Sequence, residues 1–410
     1  MMAEKLRVGV VGMGQRGLWI AKMANEGVNT QLGAIADMNP AMLDIARALY
    51  PDVPMYDTNE KMAREADIDA IVIGTGDRFH ATNAREGLRN GKHVLIEKPL
   101  AQSFADMDEI ARLQRETGLV VGTYLELRFA DLWKRVQEII VSGEIGDVLS
   151  GLLSEYCGRD KSQFFSRDKT RSQQNVVSLV LQKGVHGLDL MNWFMASSPV
   201  RVSALGARRF FGGDQPNDKH CRDCDKAATC PHKHEYKVMV TPPGTELIHD
   251  QDFCVWAQAA DVEDVNLVNI EYASGALGSY HEIHFAPYYG IHLTLFGSVA
   301  QLDVEANHDT GQAWIEITKR YANRDQRRER PTRDTGHGNA DPDLLANFAA
   351  ACLSGGEPLC DLQAGYESAA IGVATRQSID SRCAVEIKPF GELGLTQQRG
   401  SRPTDGSPYQ

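Results

Sequence analysis

The chain has 410 residues, with 43 Lys and Arg against 55 Asp and Glu, which gives a net charge of −12 at pH 7. Its length is enough for two or three domains, and its 42% hydrophobic and 24% charged residues exclude a collagenous, coiled-coil or wholly disordered protein. An acidic chain with a pI of about 5.5 gives no electrostatic indication of a nucleic-acid or anionic-membrane partner. We therefore expect a small-molecule partner.

The N-terminal part of the chain, residues 1–125, alternates short β-branched runs with helical patterns. Strands are predicted at 6–11, 32–36, 70–74, 93–97 and 120–124, and helices at 18–26, 41–49, 82–90 and 104–116. This alternation is typical of a parallel sheet that helices cover on both faces. The sequence therefore predicts an N-terminal α/β domain with a doubly wound parallel sheet.

A different pattern follows in residues 126–390, where strands succeed one another with few helices between them. Strands are predicted at 200–209, 265–272, 276–285, 291–296 and 314–318, and helices at 132–142, 185–195, 341–353 and 364–381. Consecutive strands favour an α+β domain with a mainly antiparallel sheet. The charged segment 321–334 is predicted to be a solvated loop, and the polar tail 391–410 is predicted to be disordered.

No segment has the uninterrupted apolar run of roughly 18–20 residues that a membrane helix needs. The longest candidate, residues 176–200, contains Lys183, His186 and Asp189, and the first seven residues lead into a strand without a secretory cleavage site. We expect a cytoplasmic protein with no membrane or nucleic-acid partner. Five of the eight cysteines are scattered, which fits a reducing compartment.

The first predicted strand is followed by a G-x-G-x-x-G motif, which consists of Gly12, Met13, Gly14, Gln15, Arg16 and Gly17. In a dinucleotide-binding turn the first glycine permits the tight turn, the second lets the backbone approach a pyrophosphate, and the third lets the helix pack on the strand. The helix N-terminus then binds the phosphates. A plain glycine turn is the alternative for the motif alone.

Asp37 closes the second predicted strand, twenty residues after Gly17. A carboxylate at this position accepts hydrogen bonds from a ribose 2′-hydroxyl and repels a 2′-phosphate. The motif and the aspartate together predict an NAD site, with NADP the less favoured cofactor.

Further motifs give a resemblance to a known family. Gly-Thr-Gly-Asp-Arg-Phe-His occupies 74–80, Glu-Lys-Pro occupies 97–99, and other matching segments lie at 124–129, 143–146, 184–189 and 336–341. Together with the fingerprint they resemble the glucose–fructose oxidoreductase/inositol dehydrogenase family, Gfo/Idh/MocA, over residues 5–390. The resemblance implies a Rossmann domain, a second domain whose open sheet covers the active site, and a homodimer or homotetramer formed through that sheet.

The matching segments also supply candidate site residues. Lys98 stands at the carboxyl end of a parallel strand, where such sheets bind ligands, and its ammonium could stabilise charge on an alcohol oxygen during oxidation. The alternative is a solvated lysine. By resemblance Lys98 is catalytic, and further cofactor contacts are Thr75, His80 and Glu97. Tyr124 and Arg128 are further candidate substrate contacts. The Tyr124 ring could line the face of a sugar, although core packing explains it equally well.

His186 and Asp189 are three residues apart and should share a helix face. A histidine can accept the hydroxyl proton as hydride leaves the same carbon, and by resemblance His186 is the catalytic histidine. The alternative is a hydrogen-bonded structural histidine. By the same resemblance, Asp189 would orient His186 or bind a substrate hydroxyl.

One position departs from the family. Its polyol dehydrogenases usually carry an aspartate four residues before the histidine, but this chain has Gln182, followed by Lys183. Glutamine can hydrogen-bond a hydroxyl but cannot take a proton. The base role therefore moves to His186 or Lys98. Gln182 and Lys183 remain candidate substrate contacts, with Lys183 as an anchor for an acidic group or, alternatively, a solvated lysine.

A polar insertion at 212–246 contains a cluster of cysteines and histidines. Cys221, Cys224, Cys230 and His232 have the residue types and short spacings of a structural Cys₃His zinc site, with His220 and His234 as other choices for the fourth ligand. An iron–sulfur centre that includes Cys157 or Cys254 is an alternative, as are unmetallated thiols.

These observations predict an NAD-dependent oxidoreductase that acts on a secondary hydroxyl of a sugar, sugar derivative or cyclitol. A second hypothesis comes from relatives that keep NAD as a catalyst and cleave glycosides by transient oxidation, elimination and re-reduction. A third is an NAD-binding regulator without catalysis, which Lys98 and His186 argue against.

Overall fold

The N-terminal domain of the computed structural model is built on a six-stranded parallel sheet in the order β3-β2-β1-β4-β5-β6. Its strands are β1 (Leu6–Val11), β2 (Thr30–Ala36), β3 (Met55–Tyr56), β4 (Ala70–Ile73), β5 (His93–Ile96) and β6 (Val121–Thr123). All four residues of β4 are buried, as in a sheet covered on both faces. The strand order reverses between β1 and β4, and this switch point is where such sheets bind ligands.

The structure describes residues 5–158, 163–234, 238–241, 245–248, 252–321, 325–330 and 340–390. Five helices surround the parallel sheet: α1 (Gln15–Glu26), α2 (Pro40–Leu49), α3 (Asn59–Glu65), α4 (His80–Arg89) and α5 (Phe104–Thr117). The ends of α5 illustrate how the sequence sets their bounds. The Ser103 hydroxyl accepts the Asp106 N–H at 3.1 Å, and Gly118 ends the helix with a φ of 67°.

The second domain contains a nine-stranded sheet in the order β16-β15-β14-β13-β7-β12-β11-β8-β17. The strands are β7 (Val148–Tyr156), β8 (Pro199–Ala207), β11 (Val265–Tyr272), β12 (Leu277–Ile283), β13 (Gly290–Gly297), β14 (Ala300–Asn307), β15 (Gln312–Lys319), β16 (Gln326–Glu329) and β17 (Val385–Glu386); β9 (Val238–Thr241) and β10 (Thr245–Ile248) form a separate hairpin. The β7–β12 pair is parallel and the other pairs of this sheet are antiparallel.

The helices of the second domain are α6 (Asp131–Val141), α7 (Gln163–Ser166), α8 (Asp168–Arg171), α9 (Gln173–Val176), α10 (Val185–Met195), α11 (Ala340–Ser354) and α12 (Leu362–Ser381). A 3₁₀ turn at Glu126–Phe129 precedes α6, another lies at Cys221–Asp223, and a π-helical turn at Val180–Gly184 runs directly into α10. Such turns often occur at functional sites. Val177 precedes this turn with a φ of 66°, a strained conformation for a β-branched residue.

The two faces of the large sheet have different environments. Leu153, Tyr280 and Val268 are buried on the inner face, against which α10 and α12 pack. On the outer face four leucines are at least 39% exposed: Leu152, Leu205, Leu267 and Leu277. The inner face thus belongs to the core, and the outer face exposes these leucines.

The predicted fold class is confirmed: a doubly wound parallel sheet is followed by a domain with a large, mainly antiparallel open sheet. Helix α10 has the predicted bounds. The sequence did not predict strands β3, β7, β9, β10, β14 and β17 or helices α3, α7, α8 and α9. Strand β16 lies within the segment predicted to be a loop. The predicted disordered tail, 391–410, lies outside the described residues. None of the helices in the described ranges is long and apolar enough to span a bilayer.

Candidate active site

A cavity of about 680 Å³ opens at the carboxyl ends of β1, β2, β4 and β5. The glycine loop forms one end of the cavity, and the π-helical turn with the start of α10 forms another part of its wall. The predicted residues that line it are Gly12, Gly14, Gln15, Arg16, Asp37, Thr75, His80, Glu97, Lys98, Gln182 and His186. The structure therefore brings most of the predicted cofactor contacts and both predicted catalytic residues to one cleft.

The remaining predicted site residues lie behind the cavity wall. Met13, Gly17, Tyr124, Arg128, Lys183 and Asp189 do not line the cavity. Met13, Tyr124, Arg128 and Asp189 are almost fully buried. In this structure these side chains support the site from behind instead of facing its contents.

The glycine loop has the backbone that the fingerprint predicts. Gly12 has a φ of 88°, and a Cβ there would lie 2.8 Å from the Thr75 backbone. A Cβ on Gly17 would lie 1.7 Å from the Gly12 carbonyl oxygen, so α1 could not pack as closely. A Cβ on Gly14 would meet nothing within 4 Å. The space over Gly14, beside the N-terminus of α1, fits a pyrophosphate group.

Asp37 lies half-buried at the end of β2. Its carboxylate accepts the Met13 N–H at 2.6 Å and the Asn39 N–H at 2.7 Å. One acidic side chain therefore fixes the glycine loop and also presents a negative charge to the cavity. This arrangement fits the adenosine ribose of NAD and opposes a 2′-phosphate.

Arg16, which follows the glycine loop, is held by acidic side chains. Its guanidinium pairs with Glu97 and, at 2.7 and 2.8 Å, with the buried carboxylate of Asp341. It also lies 4.5 Å from the centre of the Tyr124 ring. Because both acids neutralise Arg16, it contributes little free positive charge to the cavity. In the family-like segment 336–341, Asp341 therefore contributes to the site by binding Arg16. Residues 336–339 of this segment lie outside the described residues.

Thr75 and His80 form the wall at the end of β4. The His80 ring is buried, with Nδ1 2.7 Å from the Pro99 carbonyl oxygen and Nε2 3.1 Å from the Thr75 carbonyl oxygen. These contacts connect the loop after β4 to the Lys98–Pro99 peptide, which is cis. His80 therefore orders the backbone that carries Lys98.

Lys98 extends across the cavity to the second domain. Its ammonium donates to the Gln182 carbonyl oxygen at 2.6 Å. The Gln182 side-chain oxygen is buried in the cavity wall and accepts no hydrogen bond from the described residues. The wall of one cavity thus contains an ammonium donor and the amide of Gln182, two groups that can hydrogen-bond a hydroxyl.

His186, on the first turn of α10, is 5% exposed and lines the same cavity. Its Nδ1 lies 3.6 Å from Glu126 Oε1, and Glu126 also lines the cavity. Three residues further along α10, Asp189 accepts two hydrogen bonds from Arg128, at 2.6 and 2.8 Å. Both contacts join α10 to the 3₁₀ turn at Glu126–Phe129.

Lys183 is buried in an ion pair with Glu155 on the inner face of the large sheet. Burial alone would lower the pKa of Lys183, but the Glu155 carboxylate outweighs burial and raises it well above the ordinary value. The Tyr280 hydroxyl donates to this group of carboxylates, with contacts of 2.9 Å to Glu155 and 2.8 Å to Glu282. Lys183 is therefore held in a buried ion pair and does not line the cavity in which the predicted anchor for an acidic substrate group would act.

Lys169, on α8, was not predicted and lines the cavity together with Lys98. Its side chain is exposed to the cleft and makes no hydrogen bond or ion pair within the described ranges. Crowding by the surrounding protein and the nearby Arg167 and Lys98 charges lower the pKa of Lys169. An anion would relieve this repulsion.

The predicted zinc site is not supported. Among the residues that the structure describes, no three His, Cys, Asp or Glu side chains are arranged to hold a metal ion. His232 instead packs edge-on against Phe210, Phe211 and Trp256, with ring centres 5.3–5.5 Å apart. His220 Nδ1 contacts Asp252 at 2.9 Å. All eight cysteines are unpaired thiols.

Sequence reasoning missed Glu126 and Lys169 because nothing in their spacing connects them to the motifs. Glu126 meets a histidine 60 positions away along the chain, and Lys169 comes from a segment of three four-residue helices. The positional signal available for Glu126 was its place within the family-like segment 124–129.

Comparison with family models gives two matches. Residues 6–125 match the Gfo/Idh/MocA model described as an oxidoreductase family with an NAD-binding Rossmann fold. Residues 137–387 match the model for the C-terminal alpha/beta domain of that oxidoreductase family. Together the two models cover most of the chain.

Individual relatives are more distant. The chain is 25% identical to YteT of Bacillus subtilis strain 168, a protein named as an oxidoreductase, over 90% of this chain and 93% of YteT. It is also 25% identical to the 2,7-anhydro-N-acetylneuraminate hydratase of Mediterraneibacter gnavus, over 51% of this chain and 54% of the hydratase.

A solved structure with a similar fold is the scyllo-inositol dehydrogenase of Lactobacillus casei with bound NAD(H) and scyllo-inositol. The match has a TM-score of 0.67 and 17% identity, and it covers 93% of this chain and 99% of that protein. At this identity the comparison shows a shared fold.

Proposed function

The chain belongs to the Gfo/Idh/MocA oxidoreductase family, and from that premise we propose that it transfers a hydride between NAD and a secondary hydroxyl of a sugar, sugar derivative or cyclitol. The observation that carries the proposal is the single cavity that the glycine loop, Lys98, Gln182 and His186 line together. The inositol dehydrogenase with the same fold supports the substrate class.

The residues around Lys98 fit the oxidation of an alcohol. When bound, NAD supplies the hydride acceptor. Lys98 donates to the hydroxyl oxygen and stabilises negative charge that develops there, and the Gln182 side-chain oxygen accepts from a neighbouring hydroxyl. His186 takes the hydroxyl proton, since a neutral imidazole is a base near neutral pH. Burial of His186 keeps water away from this transfer.

NAD is the proposed cofactor because of Asp37. The carboxylate lies at the cavity wall and is fixed by two backbone N–H groups. Arg16, which could have neutralised a 2′-phosphate, is paired with Glu97 and Asp341. The charge balance at this end therefore favours a free ribose diol over a phosphate.

The substrate class narrows to compounds that carry a carboxylate near the reacting hydroxyl. Lys169 gives the cavity a second ammonium besides Lys98, and repulsion between like charges favours an anionic ligand. The hydratase relative is named for N-acetylneuraminate, a sugar acid. Lys169 thus takes the role that the sequence had assigned to Lys183.

A second candidate function is redox-neutral. The enzyme would oxidise a glycoside or anhydro-sugar transiently by passing a hydride to NAD⁺, eliminate the aglycone or the anhydro oxygen, add water and return the hydride to the product. The cycle has no net redox change, so NAD acts as a retained catalyst. The hydratase relative supports this alternative. Gln182 supports it as well, because the position lacks the aspartate of the family's polyol dehydrogenases.

The proposed assembly is a homodimer or homotetramer formed through the outer face of the large sheet. Leu152, Leu205, Leu267 and Leu277 expose apolar surface on neighbouring strands there. Large exposed apolar patches commonly mark protein interfaces.

One assay separates the two functions. The protein is incubated with stoichiometric or excess NAD⁺ and a panel of compounds: inositols, free hexoses, free hexuronates, and aryl glycosides of hexoses and of hexuronates. NADH and released aglycone are followed in the same reaction. NADH that accumulates with a free polyol or sugar supports the dehydrogenase. Aglycone released at constant NADH supports the redox-neutral function. If neither product forms across the panel while NAD⁺ binds, the catalytic proposal fails in favour of an NAD-binding regulator.

A further inference from the structure

The contact between Glu126 and His186 joins two of the family-like segments, 124–129 and 184–189, which are far apart in the sequence. Glu126 is 1% exposed and His186 is 5% exposed, and both line the cavity. Their facing atoms, Oε1 and Nδ1, are 3.6 Å apart. A carboxylate at this distance stabilises a protonated imidazole. In uncomplexed enzymes such contacts are often longer than a hydrogen bond and tighten when substrate binds.

The backbone around the pair holds it in place. Arg128 lies two residues after Glu126, and Asp189 lies three residues after His186 on the next turn of α10. Arg128 and Asp189 form a bidentate ion pair with both side chains no more than 4% exposed. Such a pair fixes the 3₁₀ turn against the helix. It therefore fixes the position of Glu126 relative to the imidazole.

Three other carboxylates around His186 and its cavity are each paired with a cation. Glu155, within electrostatic reach on β7, is paired with Lys183, and Asp189 is paired with Arg128. Across the cavity, Glu97 is paired with Arg16. The cations that line the cavity are Arg16, which is held in that pair, Lys98, which donates to the Gln182 backbone, and Lys169. Glu126 faces the imidazole directly, with its Oε1 3.6 Å from Nδ1.

We propose that Glu126 is the positioning residue of the acid–base unit and supplies the carboxylate that Gln182 does not. The carboxylate holds His186 Nδ1 and stabilises its protonated form. When the substrate hydroxyl loses its proton, the O–H bond breaks and an N–H bond forms on the imidazole, and Glu126 balances the new positive charge. This inference rests on the proposed function for its chemistry, whereas the coupling between the two side chains does not depend on any substrate.

The coupling can be measured without a substrate. The protein is labelled with ¹⁵N-histidine, and the imidazole of His186 is identified among the 12 histidines as the signal lost in His186→Gln. Its pKa is then measured by NMR from pH 5 to 9 in the wild type, in Glu126→Gln and in Glu126→Asp. The matched control is Glu116→Gln, which removes one exposed negative charge from α5.

Loss of the carboxylate should lower the pKa of His186 by about one unit, because an opposite charge within ~4–6 Å shifts a pKa by roughly 1–3 units. Glu126→Asp should give a smaller decrease, and Glu116→Gln should give none. NADH affinity should stay within about twofold of wild type in all variants, which also reports folding. An unchanged pKa of His186 in both Glu126 variants would overturn the proposal.

Kinetics give a second measurement once the panel yields a turnover. Glu126→Gln should lower kcat by about 10–100-fold, with KM changed much less. The acid limb of the kcat profile should move to lower pH, since the neutral base then persists at lower pH. A structural role alone would lower activity at every pH without moving this limb. If the pKa of His186 depends on Glu126 but no compound of the panel is turned over, the proposed function fails. If a compound is turned over but the pKa of His186 does not depend on Glu126, the proposed role of Glu126 fails.

Discussion

Asp37→Asn tests the cofactor assignment most directly, because it changes a charge at the cavity wall with few changes in shape. The wild-type carboxylate accepts the Met13 and Asn39 N–H groups with its two oxygens. An amide has one acceptor oxygen, so one of these N–H groups loses its partner, at a cost of about 1 kcal/mol at a half-buried site. NADH should therefore bind up to about fivefold more weakly to the variant, since a tenfold change corresponds to ~1.4 kcal/mol.

For NADPH the lost charge acts in the opposite direction. Two unit charges about 5 Å apart interact by ~3 kcal/mol at an effective dielectric constant of ~20. Water in the open cleft reduces this repulsion, and we expect at least about 1.4 kcal/mol to remain, which is tenfold in affinity. The ratio of the NADPH and NADH dissociation constants should consequently fall at least about tenfold in Asp37→Asn.

Calorimetric titration with NADH and NADPH measures both constants without any substrate. Asp44→Asn is the matched control, because Asp44 is an exposed aspartate on the neighbouring helix α2. The control should keep the wild-type ratio. Equal affinities of the wild type for NADH and NADPH, or an unchanged ratio in Asp37→Asn, would refute the electrostatic argument.

Three further predictions concern the rest of the site and the assembly. Lys98→Met should keep NADH affinity within about twofold and lower kcat by about 10²–10³, as expected for loss of a donor to a developing oxyanion; turnover near the wild-type rate would contradict the role of Lys98. Lys169→Met should raise KM for a hexuronate at least about tenfold, because a charged hydrogen bond contributes roughly 1.5–3 kcal/mol. It should leave KM for the corresponding uncharged hexose unchanged. Equal effects on the two KM values would exclude an anion subsite. The double variant Leu152→Asp/Leu205→Asp should run as a monomer in light scattering, with near-native circular dichroism, whereas an unchanged mass would place the interface elsewhere.

The N-terminal fold could be predicted from the sequence because its strands are continuous apolar runs between turn residues. Strand β7 was missed for a physical reason. Its inner face carries Gly151 and Glu155, whereas Leu152 points outward. In most strands the apolar residues face the core and the charged residues face solvent. In β7 the charged Glu155 is instead buried in an ion pair with Lys183, and Leu152 is exposed on the proposed interface. Strand β14 has the ordinary alternation, with Ala300, Leu302 and other alternate residues buried, so its signal was available in the sequence.

Some residues of the candidate site could likewise be predicted from the sequence and others could not. The glycine loop, Lys98 and His186 lie in short local motifs, so their identity could be inferred before their geometry was known. Glu126 and Lys169 reach the cavity through tertiary contacts, which local patterns do not encode. The zinc prediction relied on spacing alone, and spacing does not say whether side chains converge. His232 packs among aromatic rings instead.

The π-helical turn and the buried charges beneath it show how the second domain contributes to the proposed catalytic geometry. The Gln182 carbonyl that receives Lys98 lies in this turn, and the next residue, Lys183, is tied to Glu155 on β7. The Tyr280 hydroxyl connects Glu155 to Glu282. Breaking one such buried pair is strongly destabilising because it leaves an uncompensated charge.

The same group of charges extends to His284, which is fully surrounded by protein. Burial would lower the pKa of His284, but Cys157 and Glu282 outweigh burial and raise it to about 10. His284 and Glu282 therefore stay paired around neutral pH, and the stability that the raised pKa contributes is present below the unfolded value of ~6.5 and is lost as the pH rises through about 10. The inner face of the sheet holds the turn through paired charges, and directional pairs fix atomic positions more narrowly than apolar packing does. Such a support suits the proposed site, in which Lys98 and His186 would contact the same hydroxyl group from different domains.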